Sequence, residues 1–97
     1  MYLIKFHAKP KPESRHARNC SGAYVNCWID FAAADGAKVL ARHFVEKNGW
    51  VPSPRSKTLF VSGPQNGPAR RLSREAKTYG YSLAFYCYPN PKSRRNK

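Results

Sequence analysis

Negative charge is what this chain most lacks. Five Asp and Glu stand against 18 Lys and Arg in 97 residues, a formal net charge of +13. From residue 51 onward the one anion is Glu75. Solvated faces ordinarily mix both signs, and self-repulsion of this size disfavours a compact state, so it points to a partner that neutralises it. Nucleic acid is the polyanion expected. Long apolar runs are missing as well: nothing approaches the ~20 residues of a membrane span. The opening YLIKF goes straight into strand-like alternation, without the charged, apolar and small-residue order of a secretory leader. A cytoplasmic location is therefore expected. A membrane partner is not, because the cations gather in Pro/Gly-rich loops and not along an amphipathic helix.

Cysteine is scarce. Cys20, Cys27 and Cys87 are an odd number, which argues against a disulfide framework. Cys27 and Cys87 fall on apolar strand faces and read as buried thiols. Cys20 with His16, and Cys27 with His7, make no closed ligand set, so neither metal nor cofactor is expected. No Gly-rich phosphate loop, nucleophile elbow or carboxylate pair occurs, nor any zinc-finger, RNP-type or KH-type signature.

What is present is 41% apolar and 13% aromatic residues, enough for one modest core. One α+β domain is expected over residues 1–91, followed by a short basic disordered tail at 92–97. The centre of the chain is the stretch from Ala23 to Trp50, a strand AYVNCWIDF leading into a helix DGAKVLARHFVEKNG. This stretch is electrically neutral, and the excess charge flanks it, +4 on residues 1–22 and +9 on residues 51–97. In the helix Ala37, Leu40, Ala41 and Phe44 recur at i, i+3, i+4 and i+7. Asp35 is the expected N-cap, Gly49 the left-handed stop, and Trp50 and Val51 fold back onto the stripe.

Around that unit, residues 2–8 alternate as a strand, and Pro10 and Pro12 open a basic loop of about 14 residues. Pro52 and Pro54 precede a short strand at 57–62, and GPQNGPARR reads as a loop. Leu72 to Thr78 form a short helix capped by Ser73, and YSLAFYCY forms the last strand. The expected architecture is a two-layer sandwich. A three- to four-stranded, mainly antiparallel sheet carries one or two helices on one face, in a ferredoxin-like or related arrangement.

With the helices on the aliphatic face, the other face holds Lys5, His7, Tyr24, Asn26, Trp28, Tyr86 and Tyr88. Rings interleaved with cations on an open sheet suit single strands, with bases stacking and a basic rim holding phosphates. The rim is assigned to the basic loop at 9–18, to Arg70, Arg71, Arg74 and Lys77, and to Lys92, Arg94 and Arg95 of the tail. The expected function is binding of RNA or single strands in preference to a specific duplex, because the one strong helix is neutral and its stripe belongs to the core. The alternative is a protein-interaction module or homodimer built on the aromatic face. A further alternative is a small basic ribonuclease in which His7 and Asp30 share that face with Tyr86 and cations stabilise the pentacovalent phosphate. The balance leans away from an enzyme.

Overall fold

Alternation in YLIKFHAKP and CSGAYVNCWI sends successive side chains to opposite faces, and these two stretches form the centre of the sheet. A computed structural model describes residues 1–63 and 65–89. The elements are β1 (Tyr2–Pro10), a 3-10 turn (Arg15–Arg18), β2 (Cys20–Ile29), α1 (Ala34–Lys47), β3 (Trp50–Phe60), α2 (Pro68–Tyr79) and β4 (Tyr81–Pro89). The strands make one antiparallel sheet in the order β3-β1-β2-β4, so the domain is α+β. Its first two strands are joined through a 3-10 turn, where a ferredoxin-like fold has a helix. The expected tail, with Lys92, Arg94 and Arg95, lies outside the described residues.

The aliphatic face forms as the alternation predicts. Ile4, Phe6, Val25, Cys27 and Ile29 are buried against Ala37, Ala41 and Val45 of α1, with Leu40 and Phe44 partly buried beside them. The small alanines let the helix lie close to the strands, and the wider residues at the stripe's edges fill the flanks. Phe44 stacks on Tyr81, ring centroids 3.8 Å apart. Trp50 is buried between His16 and Phe85, at 5.2 and 5.5 Å. Val51, expected beside it, is exposed. Asp35 is not the N-cap of α1: Ala33 holds that position without a side-chain bond, and Asp35 sits inside the first turn, where it complements the helix dipole. Gly49, at φ +90°, ends the helix as expected.

Three local expectations need correction. The prolines at 52 and 54 do not delay β3, which runs through both. As an edge strand β3 tolerates missing N–H donors that would break an interior one, and the ladder to β1 shifts register between Phe6 and Ala8 to accommodate them. The second helix is longer than Leu72–Thr78. It starts with Pro68 in its first turn and ends at Gly80 in the left-handed region, while the Ser73 hydroxyl donates to the Arg70 carbonyl instead of capping.

The largest correction concerns which face α2 covers. Leu72 and Ala76 pack on Leu3 and Trp28, with Ala69, Leu59 and Ala84 around them. Leu3 alternates with Ile4, and Trp28 with Cys27, so α2 lies on the sheet face opposite α1. The two helices are therefore not on one side. The Ser82 hydroxyl, buried under α2, donates to the Leu72 carbonyl and ties the helix to β4.

The cysteines also depart from expectation. Cys20 and Cys87 form a disulfide, Cα–Cα 5.8 Å, joining the start of β2 to the end of β4. Cys27 is the free, buried one, and burial pushes its thiol up from 9.0 to about 12. Because the folded state holds that proton more tightly, its contribution to stability is complete below pH 9.0 and is lost as pH climbs toward about 12. A thiol reagent at pH 8 is expected to leave the native protein unmodified and to label Cys27 once the chain is denatured without reductant.

Candidate nucleic-acid interface

α2 divides the second face of the sheet in two. Its half of that face is closed, and Trp28, assigned to base stacking, is 4% exposed within it. Trp28 is thus a core residue. Trp28→Ala is expected to cost about 3–5 kcal/mol, read as a lowered melting temperature, while Trp28→Phe keeps any ligand affinity. The other half of the face remains open and carries Lys5, His7, Tyr24, Asn26, Tyr86 and Tyr88.

Strand register fixes how these side chains sit. Lys5 pairs with Lys57 of β3 on one side and with Asn26 of β2 on the other. His7 pairs with Tyr24, which in turn pairs with Tyr86 of β4. Cations therefore gather over β3 and β1, and rings over β2 and β4. Tyr24 and Tyr86 are 63% and 52% exposed, so their faces are available to a ligand. A groove of about 480 Å³ runs along the cationic side, lined by Lys5, His7, Tyr24, Asn26, Arg55 and Lys57 among others. Among the described residues none of Lys5, Arg55 and Lys57 has an ion-pair partner. Like charges placed directly across a ladder disfavour it, so Lys5 and Lys57 stand as an uncompensated pair.

Tyr88 is drawn into this group from the far edge. It pairs in register with Gly22, and its ring lies over that glycine: a Cβ there would fall 2.7 Å from Cζ of Tyr88 and 2.9 Å from Nε2 of His7. Across the gap the Tyr88 hydroxyl meets His7 Nε2 at 2.6 Å, with the two rings stacked at 5.6 Å. Tyr24 closes the group, edge-on to His7 at 5.4 Å and tilted to Tyr88 at 5.9 Å. Gly22, Arg55 and Lys57 were absent from the sequence-based assignment. Lys57 was findable, since KTLFVS alternates, but its face depends on a register that the sequence does not print.

The basic residues of α2 form a separate feature. Arg70, Arg74 and Lys77 lie at i, i+4 and i+7 and, with Ser73, Gly63 and Gln65, line a hollow of about 320 Å³. Arg71 points elsewhere and pairs with Glu75 at 3.6 Å. This hollow shares no lining residue with the groove at Lys5 and His7. Asp30 lies beyond the end of β2, beside Met1 and Phe60. At about 3.4 Å per residue that is roughly 20 Å along the strand from Tyr24, so Asp30 does not share a site with His7. Among the described residues no three His, Cys, Asp or Glu come together as a metal site. No described helix is long and apolar enough to cross a membrane. Comparison with family models, curated proteins and solved structures returned no match.

Proposed function

We propose that this protein binds single-stranded nucleic acid, RNA in particular, on the open half of the second sheet face. The observation that carries the reading is the sorting of that face, with unpaired cations over β3 and β1 and exposed tyrosines over β2 and β4. A single strand presents phosphates along one side and bases along the other, and it matches this division when laid along the strands. Lys5, Arg55 and Lys57 hold phosphates. Tyr24 and Tyr86 stack bases, an interaction commonly worth about 1–3 kcal/mol per base, and the Asn26 amide offers hydrogen bonds to a base edge. A duplex keeps its bases stacked inside and has no use for the two exposed rings. The flank of Arg70, Arg74 and Lys77 serves as a second phosphate track where the strand runs on past the groove.

The test is fluorescence anisotropy with labelled single-stranded RNA, single-stranded DNA and duplex DNA across a salt series. The reading expects single strands to bind more tightly than duplex, and Tyr24→Ala and Tyr86→Ala each to weaken binding about five- to a hundredfold. Equal binding of all three ligands and of heparin, indifferent to both substitutions, would reduce the surface to unspecific charge attraction.

A further inference from the structure

Three histidines are available for chemistry, and the structure treats them differently. His43 is exposed on α1, its ring against Phe44. His16 stacks on Trp50 beside the disulfide, in a small hollow without a second acid or base. His7 alone is held by a polar side chain, the Tyr88 hydroxyl at 2.6 Å, from a residue 81 positions away. That bond requires Tyr88 to reach across the whole width of β2, and the missing side chain at Gly22 permits it. The ring it fixes lines the same groove as Lys5, Arg55 and Lys57.

We propose that this groove cleaves the RNA it binds, with His7 as general base toward a ribose 2′-hydroxyl; the proposal rests on the RNA-binding reading above. When Nε2–H donates to the Tyr88 oxygen, the other ring nitrogen, Nδ1, carries the lone pair. No protein hydrogen bond engages Nδ1 among the described residues. Nδ1 takes the 2′-hydroxyl proton, the 2′-oxygen bonds to the adjacent phosphorus, and the bond from phosphorus to the 5′-oxygen breaks. The departing 5′-oxygen takes a proton from a lysine ammonium of the groove. The products are a 2′,3′-cyclic phosphate and a 5′-hydroxyl. Return of the imidazolium proton to the lysine amine through solvent restores both groups, so the balance needs neither oxidant nor reductant.

The cations supply the larger part of the stabilisation. Two negative charges develop on the pentacovalent phosphorus, and Lys5 and Lys57, side by side across the ladder, present donors to its non-bridging oxygens. Their mutual repulsion in the free protein is relieved in part when a phosphate binds and further as the second charge develops. Tyr88 is a positioning residue: it holds the His7 ring in place without touching the substrate.

The test uses the whole chain with a 5′-labelled twelve-nucleotide oligouridylate and its 2′-deoxy counterpart. Cleavage is followed on denaturing gels, and the product ends are identified by mass. The RNA is expected to be cut to cyclic-phosphate ends, while the deoxy strand is bound and left intact. His7→Ala is expected to lower kcat about 10²- to 10⁴-fold, with partial recovery in added imidazole, which also guards against a variant that merely folds poorly. Tyr88→Phe lowers kcat with KM and the melting temperature near the parent's. A parent that binds the deoxy strand but leaves RNA whole overturns the cleavage and leaves the binding reading standing. A parent that binds neither overturns both. Cleavage that persists in His7→Ala at the parent's rate also overturns the proposal.

Discussion

Lys57→Glu is expected to make the free protein more stable and its affinity for single-stranded RNA more than tenfold weaker. The two effects have one cause. Lys57 lies directly across from Lys5 with no counter-charge, so glutamate replaces a repulsive cross-strand pair with an attractive one. Both side chains are exposed, and solvent screening limits the gain to about 0.5 kcal/mol, a melting temperature higher by a few degrees. On the proposed binding mode, the same change removes a phosphate contact and adds a repelling charge beside the ligand. Neutral Lys57→Gln separates the two: the slope of log affinity against log salt should shrink by about 0.7, one single-strand phosphate contact. Calorimetry and anisotropy on both variants provide the check. A Lys57→Glu protein that melts lower and binds as before would mean that Lys57 is an ordinary surface lysine.

Loss of the disulfide is expected to cost several kcal/mol of stability. Cys20 and Cys87 are 67 residues apart in sequence, so their bond removes much of the freedom of the unfolded chain. The loop-closure relation puts the stabilisation at about 4 kcal/mol, a fall in melting temperature of roughly 15–30 °C for a domain of this size. Cys20→Ser, Cys87→Ser and the double variant should melt alike, because each removes the same link. Reductant should bring the parent to the same point. Tyr88 directly follows Cys87, so the bond also holds in place the strand end that supplies the hydroxyl on His7. A parent whose melting is indifferent to reductant would contradict this account of the strand end.

Disulfides persist where the surroundings oxidise thiols, so the Cys20–Cys87 bond lends no support to the cytoplasmic expectation. The pairing was illegible in the sequence for a plain reason. An odd number of cysteines leaves the partner undetermined, and only strand order brings residues 20 and 87 to one end of the sheet.

The same division runs through the rest of the molecule. Alternation in β1, β2 and β4 and the 3.6-residue stripe of α1 are local signals, and the aliphatic core follows from them directly. Which side α2 takes is a long-range choice. Its stripe of Ala69, Leu72 and Ala76 is narrow and set among Arg and Lys, so nothing in the segment itself announces that it will bury Trp28. Once it does, the aromatic face predicted from alternation shrinks to its far half. The candidate surface that remains was partly visible: Lys5, His7, Tyr24, Tyr86 and Tyr88 were assigned to one face and share it. Arg55 was not, because β3 crosses two prolines that locally argue against a strand, and Lys57 was not, because its face depends on the register with β1. Gly22 carried no sequence signal; its role is to leave room for the ring of Tyr88.

On the proposed function, ligand binds on the open half-face and not merely to charge. Amide and side-chain chemical shifts during titration with the 2′-deoxy twelve-nucleotide oligomer test it most directly. Shifts should concentrate at Lys5, His7, Tyr24, Asn26, Lys57 and Tyr86, saturate together, and spare α1. Shifts confined to Arg70, Arg74 and Lys77, with the tyrosines unmoved, would contradict it.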